Sequence, residues 1–118
     1  MILHGSFEAG CPVLTLQLEG EAKPRLSILD TGFNGELMVP QSLATALGWV
    51  PIGVVDCQTA SGVTTTTLVE GRISWFGVSR RVSAMTTDAD ILLVGMELLH
   101  DCELRIRRDL AIVQVSRG

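Results

Sequence analysis

The chain contains no tyrosine, and aromatic residues make up only 4% of it. It has no apolar run approaching the ~18 residues that a membrane-crossing helix needs, so no membrane partner is expected. Its opening, "MILHGSFEAG", lacks a basic leader followed by a long apolar stretch. No secretory signal is therefore visible, and a cytoplasmic location is the default expectation. Cysteine is scarce. Cys11, Cys57 and Cys102 are odd in number and no two are spaced as CxxC, which predicts neither a disulfide framework nor a zinc site. "HDCE" at 100–103 offers potential metal ligands, but neighbouring helical positions do not face each other, so no metal is expected there. No cofactor is implied. Positive charge is also short: nine Lys and Arg against thirteen Asp and Glu give a net charge of −4. The basic clusters "SRR" and "RIRRD" read as solvated edges of strands and turns. Nucleic acid is not expected as a partner, because phosphate contacts require a basic surface.

What is present is globular. The 118 residues are 47% hydrophobic and 19% charged, with a mean hydropathy of +0.38. They fit a single domain, residues 1–118, able to bury a core without disulfide staples.

The pattern is mostly β. "PVLTLQLE" sets Leu14, Leu16 and Leu18 against Thr15, Gln17 and Glu19, the period of a half-buried strand. After a turn at "EGEAK", "PRLSILD" forms a second strand. Leu26 and Ile28 share a face with Asp30, which predicts that Asp30 points with apolar neighbours. "ELMV" is a short strand, and Pro40 opens a helix that ends at Gly48. "GVVDCQTASGVTTTTLVEG" predicts a polar hairpin, either projecting from the body or lying as an exposed edge, with its turn at Thr59–Gly62. "RISWFG" and "VSRRVSAM" pair around Gly77, with Trp75 in the core. "ILLV" suits a strand buried on both faces, "MELLHD" a short helix, and "ELRIRRDLAIVQV" a closing hairpin that turns near Arg108 and Asp109. His4 and His100 read as ordinary surface histidines.

The stretch "SILDTGFNGELMVP", residues 27–40, raises the chemical question. A carboxylate closes an apolar strand, and two glycines follow within five residues. An Asx-turn would explain Asp30 at no functional cost. A catalytic carboxylate would explain it equally, provided a second one faces it.

Three ordered blocks, "LDTGFNG", "TASG" and "ILLVGMELL", resemble the active-site loop, flap tip and ψ-loop of the retropepsin-like (clan AA) single-domain aspartic proteases. "VPQSLATALGW" is similar to a short helix of some cellular members. The resemblance spans about Pro12 to Val115. It implies an all-β fold: a closed, dimeric acid-protease barrel with one or two short helices. It also implies an aspartic endopeptidase acting on a peptide or protein substrate. Asp30, Thr31 and Gly32 would be the catalytic tripeptide, with Thr31 bonding across to the partner loop. Aspartic chemistry needs two carboxylates sharing one proton. Asp56, Asp88, Asp90, Asp101 and Asp109 all lack a following Thr/Ser-Gly. The implied enzyme is therefore a homodimer with one Asp30 from each subunit. Met1–Leu3 and Ala111–Val115 could pair across its axis, and Val113 and Val115 could equally finish the chain's own sheet.

The chain departs from viral members at several positions. Phe33 and Asn34 follow the tripeptide where viral enzymes place alanine and then an acidic residue or serine. Met96 stands where they carry arginine, which brings the chain closer to bacterial and cellular members. Phe33 either lines a substrate pocket or packs beneath the loop. Asn34 and Gly35 either bind substrate backbone or supply the left-handed geometry of a turn. Ala60, Ser61 and Gly62, without an aromatic, could cover a substrate through backbone hydrogen bonds. The alternative to an enzyme is an inert peptide-binding module on the same dimeric fold.

Overall fold

The computed structural model describes residues 1–118, the side chain of Thr59 excepted. In chain order its strands are β1 (Ile2–His4), β2 (Ser6–Glu8), β3 (Cys11–Leu18), β4 (Arg25–Leu29) and β5 (Leu37–Pro40). Helix α1 (Gln41–Ala46) follows, then β6 (Val50–Thr59), β7 (Gly62–Trp75) and β8 (Val78–Thr87). The chain closes with β9 (Leu93–Val94), β10 (Glu103–Arg107) and β11 (Ile112–Ser116). None of the described helices is long and apolar enough to cross a membrane.

The larger sheet runs β2-β3-β4-β9-β5-β8-β7-β6. Strand β7 also pairs with β3 through Gln17↔Ser74 and Leu18↔Ile73, so the run from β3 returns to its own start. The enclosed face carries the core, with Leu16, Leu18, Leu37, Val39, Val69, Ile73 and Val94 all essentially without solvent contact. Trp75 is buried there as expected.

The packing sets the face of Asp30 and corrects three expectations. In β4 the buried residues are Ser27 and Leu29, whereas Leu26 is 53% exposed and Ile28 half-buried. Asp30 continues the outer face with Leu26 and Ile28, the grouping the strand period predicts. Serine can occupy the inner position because its hydroxyl donates to the Leu14 carbonyl at 3.0 Å, which meets the requirement that a buried polar group be paired. "RISW" is the far half of the 14-residue β7 rather than a strand of its own. Gly71 does not break β7, because the Trp49 indole lies where a side chain would be, 2.0 Å from an ideal Cβ. "MELLHD" is a run of turns instead of a helix, held by i→i+3 bonds from Leu99 N to Met96 O and from Cys102 N to Leu99 O. Finally, β9 is only two residues long, although Leu92 beside it is also buried.

The termini meet within the chain. A three-stranded sheet places β11 between β1 and β10, with Leu3↔Val115 and Leu104↔Val115 as partners. Both edges of β11 are thus taken, and Val113 and Val115 finish the chain's own sheet. The free edges in this sheet belong to β1 and β10.

Candidate active site

Strand β9 organises the site. It lies between β4, which it parallels through Leu29↔Val94, and β5, which it opposes through Leu37↔Val94. The loop from Asp30 to Glu36 must therefore pass over the end of β9. Five backbone bonds fix it there. Asp30 N donates to Val94 O at 2.9 Å, and Phe33 N to Asp30 O at 3.2 Å. Gly95 N donates to Glu36 O at 2.9 Å, Met96 N to Phe33 O at 2.8 Å, and Glu97 N to Gly35 O at 3.2 Å.

The approach is close enough to dictate residue type. A Cβ on Gly95 would fall 2.1 Å from the Gly35 carbonyl oxygen and 2.6 Å from Phe33 Cδ2. A Cβ on Gly35 would fall 2.6 Å from Phe33 Cζ. The half-buried Phe33 ring thus lies across both glycines. Neither Asn34 nor Gly35 has positive φ, so the left-handed turn geometry expected there is absent. Gly35 is required by the Phe33 ring instead.

Asp30 extends the outer face of β4. Its Oδ1 accepts from Gly32 N at 2.9 Å, the bond of an Asx-turn. Its Oδ2 has no partner among the described residues. Thr31 and Gly32 are exposed, and a Cβ on Gly32 would come no closer than 3.3 Å to its nearest neighbour, Asp30 Oδ1. Glu36 carries the loop's second anchor. Its carboxylate accepts from Arg80 Nη2 and Ser83 N, each at 2.9 Å, and from Ser83 Oγ at 3.2 Å.

Ala60, Ser61 and Gly62 lie at the tip of the β6–β7 hairpin, with Ala60 and Ser61 forming a two-residue turn between the paired Thr59 and Gly62. Gly62 has φ +127°, which favours glycine. The tip residues and the Asp30 loop belong to different elements, joined by a feature absent from the sequence reading. Ile28↔Leu93, Leu93↔Met38, Met38↔Met85 and Met85↔Leu68 are successive cross-strand partners. They form one half-buried apolar row across five strands, on the face that Asp30 shares. A groove of about 450 Å³ opens over Met38 and Met85. Cys57 and Thr64–Thr67 of the hairpin line this groove together with Gln41, Thr86, Thr87 and Asp88. The alternation in "ELMVP" and "VSAMTT" was the only sequence signal for the two methionines.

No protein-family model and no curated protein matches the chain. Solved structures do. A retropepsin-like aspartic protease from Rickettsia conorii aligns over 98% of this chain and 88% of its own, with a TM-score of 0.68 at 17% identity. The EIAV protease, in complex with an inhibitor, covers 77% of this chain and 86% of its own, with a TM-score of 0.61 at 16% identity. The Simian Foamy Virus (mac) protease covers 75% and 91%, with a TM-score of 0.58 at 15% identity.

The fold is retropepsin-like.

Those identities carry the architecture, and the chemistry rests on this chain's own residues. Within a retropepsin-like fold, the geometry offers one oriented carboxylate on an outer face, with an oxygen left over. Alone it can accept a proton from water. It cannot at the same time supply one to a carbonyl.

Proposed function

We propose that the chain is an aspartic endopeptidase that works as a homodimer, with Asp30 from each copy forming the catalytic dyad. The observation that carries this reading is the Asp30 carboxylate itself. It is held through Oδ1 by the Gly32 amide, free at Oδ2, and set in a loop clamped by β9. The returning run of strands is read as the closed barrel of the fold, the β6–β7 hairpin as its flap, and the free edges of β1 and β10 as sites for pairing between copies.

Two like carboxylates ~3 Å apart retain one proton between them, so the dyad titrates as a unit. The ionised carboxylate takes a proton from a water, whose oxygen bonds to the scissile carbonyl carbon. The protonated carboxylate gives its proton to the carbonyl oxygen, which yields a neutral tetrahedral diol. A proton then passes to the amide nitrogen, the C–N bond breaks, and a carboxylic acid and an amine leave. The amide of Gly32 keeps each Asp30 from rotating out of this arrangement. Backbone groups of Ala60, Ser61 and Gly62 would cover an extended substrate, and Asn34 would reach its main chain.

A structural β-domain with Asp30 as a mere turn former is favoured by one observation, the Asx-type bond to Gly32. Cleavage of a denatured protein substrate, blocked by a pepstatin-type inhibitor and lost in Asp30→Asn, decides between the two. The expected result is a dimer by sedimentation for both proteins and turnover for the wild type alone. Equal cleavage by Asp30→Asn, or an inert wild-type dimer, would end the catalytic reading.

A further inference from the structure

We propose that the groove between the β6–β7 hairpin and strands β5 and β8 is a subsite for a long cationic side chain, lysine or arginine, of an extended polypeptide. The idea deepens the reading above and rests on it for the position of the scissile bond.

The floor is apolar. Met38 and Met85 are direct partners on parallel strands, both half-buried, and thioethers adapt to a flexible aliphatic stem. The charge lies at the edge. Asp88 is the one charged residue lining the groove, it is exposed, and its carboxylate has no hydrogen bond or ion pair among the described residues. No lysine or arginine lines the groove. Gln41 stands close by. Its amide nitrogen is turned to Thr45 Oγ1 at 3.3 Å, which leaves its carbonyl oxygen as an acceptor. An apolar floor ending in acceptors and a carboxylate fits a lysine or arginine, which buries its methylenes and keeps its charged head wet. It disfavours an acidic side chain, which would meet Asp88 with no cation among the lining residues to offset the repulsion.

The groove is also placed to read a substrate. The row Ile28–Leu93–Met38 joins it to the strand that ends in Asp30. Adjacent strands lie ~4.8 Å apart, so Met38 is about 10 Å across the sheet from Ile28, the reach of roughly three residues of an extended peptide.

Binding to the full-length Asp30→Asn chain tests this without requiring turnover. The probes are fluorescein-labelled dodecapeptides of alanine, valine and threonine, with Lys, Arg, norleucine or Glu placed at each position in turn. Anisotropy should show Lys and Arg at one position binding roughly fivefold tighter than norleucine, with Glu weakest, as for a solvent-exposed charge pair. The preference should shrink in high salt, vanish in Asp30→Asn/Asp88→Asn and turn toward Glu in Asp30→Asn/Asp88→Lys. An unchanged melting temperature would show that each double variant folds. Equal affinity for Lys and norleucine at every position, a preference that survives Asp88→Asn, or no binding of any peptide overturns the subsite. Charge preference in a chain whose wild type never cleaves would overturn the catalytic reading alone. Cleavage without charge preference would overturn only the subsite.

Discussion

Gly95 and Gly35 meet so closely that a methyl group on the first would lie 2.1 Å from the carbonyl oxygen of the second. The obstacle is backbone, which cannot swing aside as a side-chain tip can. Gly95→Ala should therefore force β9 away from the Asp30 loop. Overpacking of this kind costs about 1–3 kcal/mol. We expect a urea midpoint lowered to match and cleavage reduced by more than the unfolded fraction explains. A variant with wild-type stability and turnover would show that the loop is not clamped as described.

Phe33 belongs to the same contact. Its ring covers Gly35 and Gly95, so shortening it should loosen the clamp rather than widen a substrate pocket. Phe33→Leu is expected to cost about 1–2 kcal/mol, less than a fully buried aromatic truncation. Steady-state kinetics should show kcat falling while KM changes little. A large KM effect that depends on the substrate side chain would instead place Phe33 in contact with the substrate.

The Glu36–Arg80 pair should behave asymmetrically. Glu36 accepts from both Ser83 groups as well as from Arg80, whereas Arg80 donates to Glu36 through Nη2 alone. Removing the carboxylate strands the Ser83 amide and hydroxyl together. Glu36→Ala should thus cost about 2–3 kcal/mol and Arg80→Met about 1 kcal/mol. Denaturant unfolding of both variants measures the difference, and equal costs would mean that the Ser83 bonds contribute little.

The two outcomes trace to different kinds of information. "LDTGFNG" and "ILLVGMELL" were legible because the chemistry of a tight crossing restricts residue type locally, as Gly35 and Gly95 show. The grouping of Asp30 with Leu26 and Ile28 was legible from the strand period, but not that Ser27 and Leu29 are the buried pair of that strand. Only the bond from Ser27 to Leu14 O, thirteen residues away, lets a serine be the inner residue. The Ile28–Leu93–Met38–Met85–Leu68 row depends on the register of five strands, and no local pattern records register. Glu36 and Arg80 are 44 residues apart and carry no shared motif. "MELLHD" has helix-forming residues, but its backbone closes i→i+3 turns, Leu99 N to Met96 O and Cys102 N to Leu99 O.

Cys102 gives a prediction tied to pH. Burial first, and then its hydrogen bond to Asp101, push the thiol up to about 11. The folded state thus favours the neutral thiol. The stability this contributes is full below the unfolded value of ~8.5 and is lost as pH rises through the folded one. At pH 9 the folded protein should hold tens of times less Cys102 thiolate than the denatured chain. Iodoacetamide labelling followed by mass spectrometry should show slow modification of Cys102 in native protein and fast modification in urea. Matching rates at pH 9 would rule out a half-buried, bonded thiol.

Gly32 separates folding from assembly. Within one chain a Cβ at this position meets only Asp30 Oδ1, at 3.3 Å, and Gly32 has no positive φ that would strain an alanine. The isolated subunit should tolerate Gly32→Ala with a stability change of less than about 1 kcal/mol, as exposed sites do. In a dimer whose two Asp30 loops face each other across a two-fold axis, the same methyl group stands between them twice. Gly32→Ala should therefore weaken the dimer and abolish cleavage while circular dichroism and the unfolding of the monomer stay near wild type. Sedimentation across a concentration series reads the dimer directly. A Gly32→Ala protein that still dimerises and cleaves like wild type would remove the facing loops, and with them the paired Asp30 dyad.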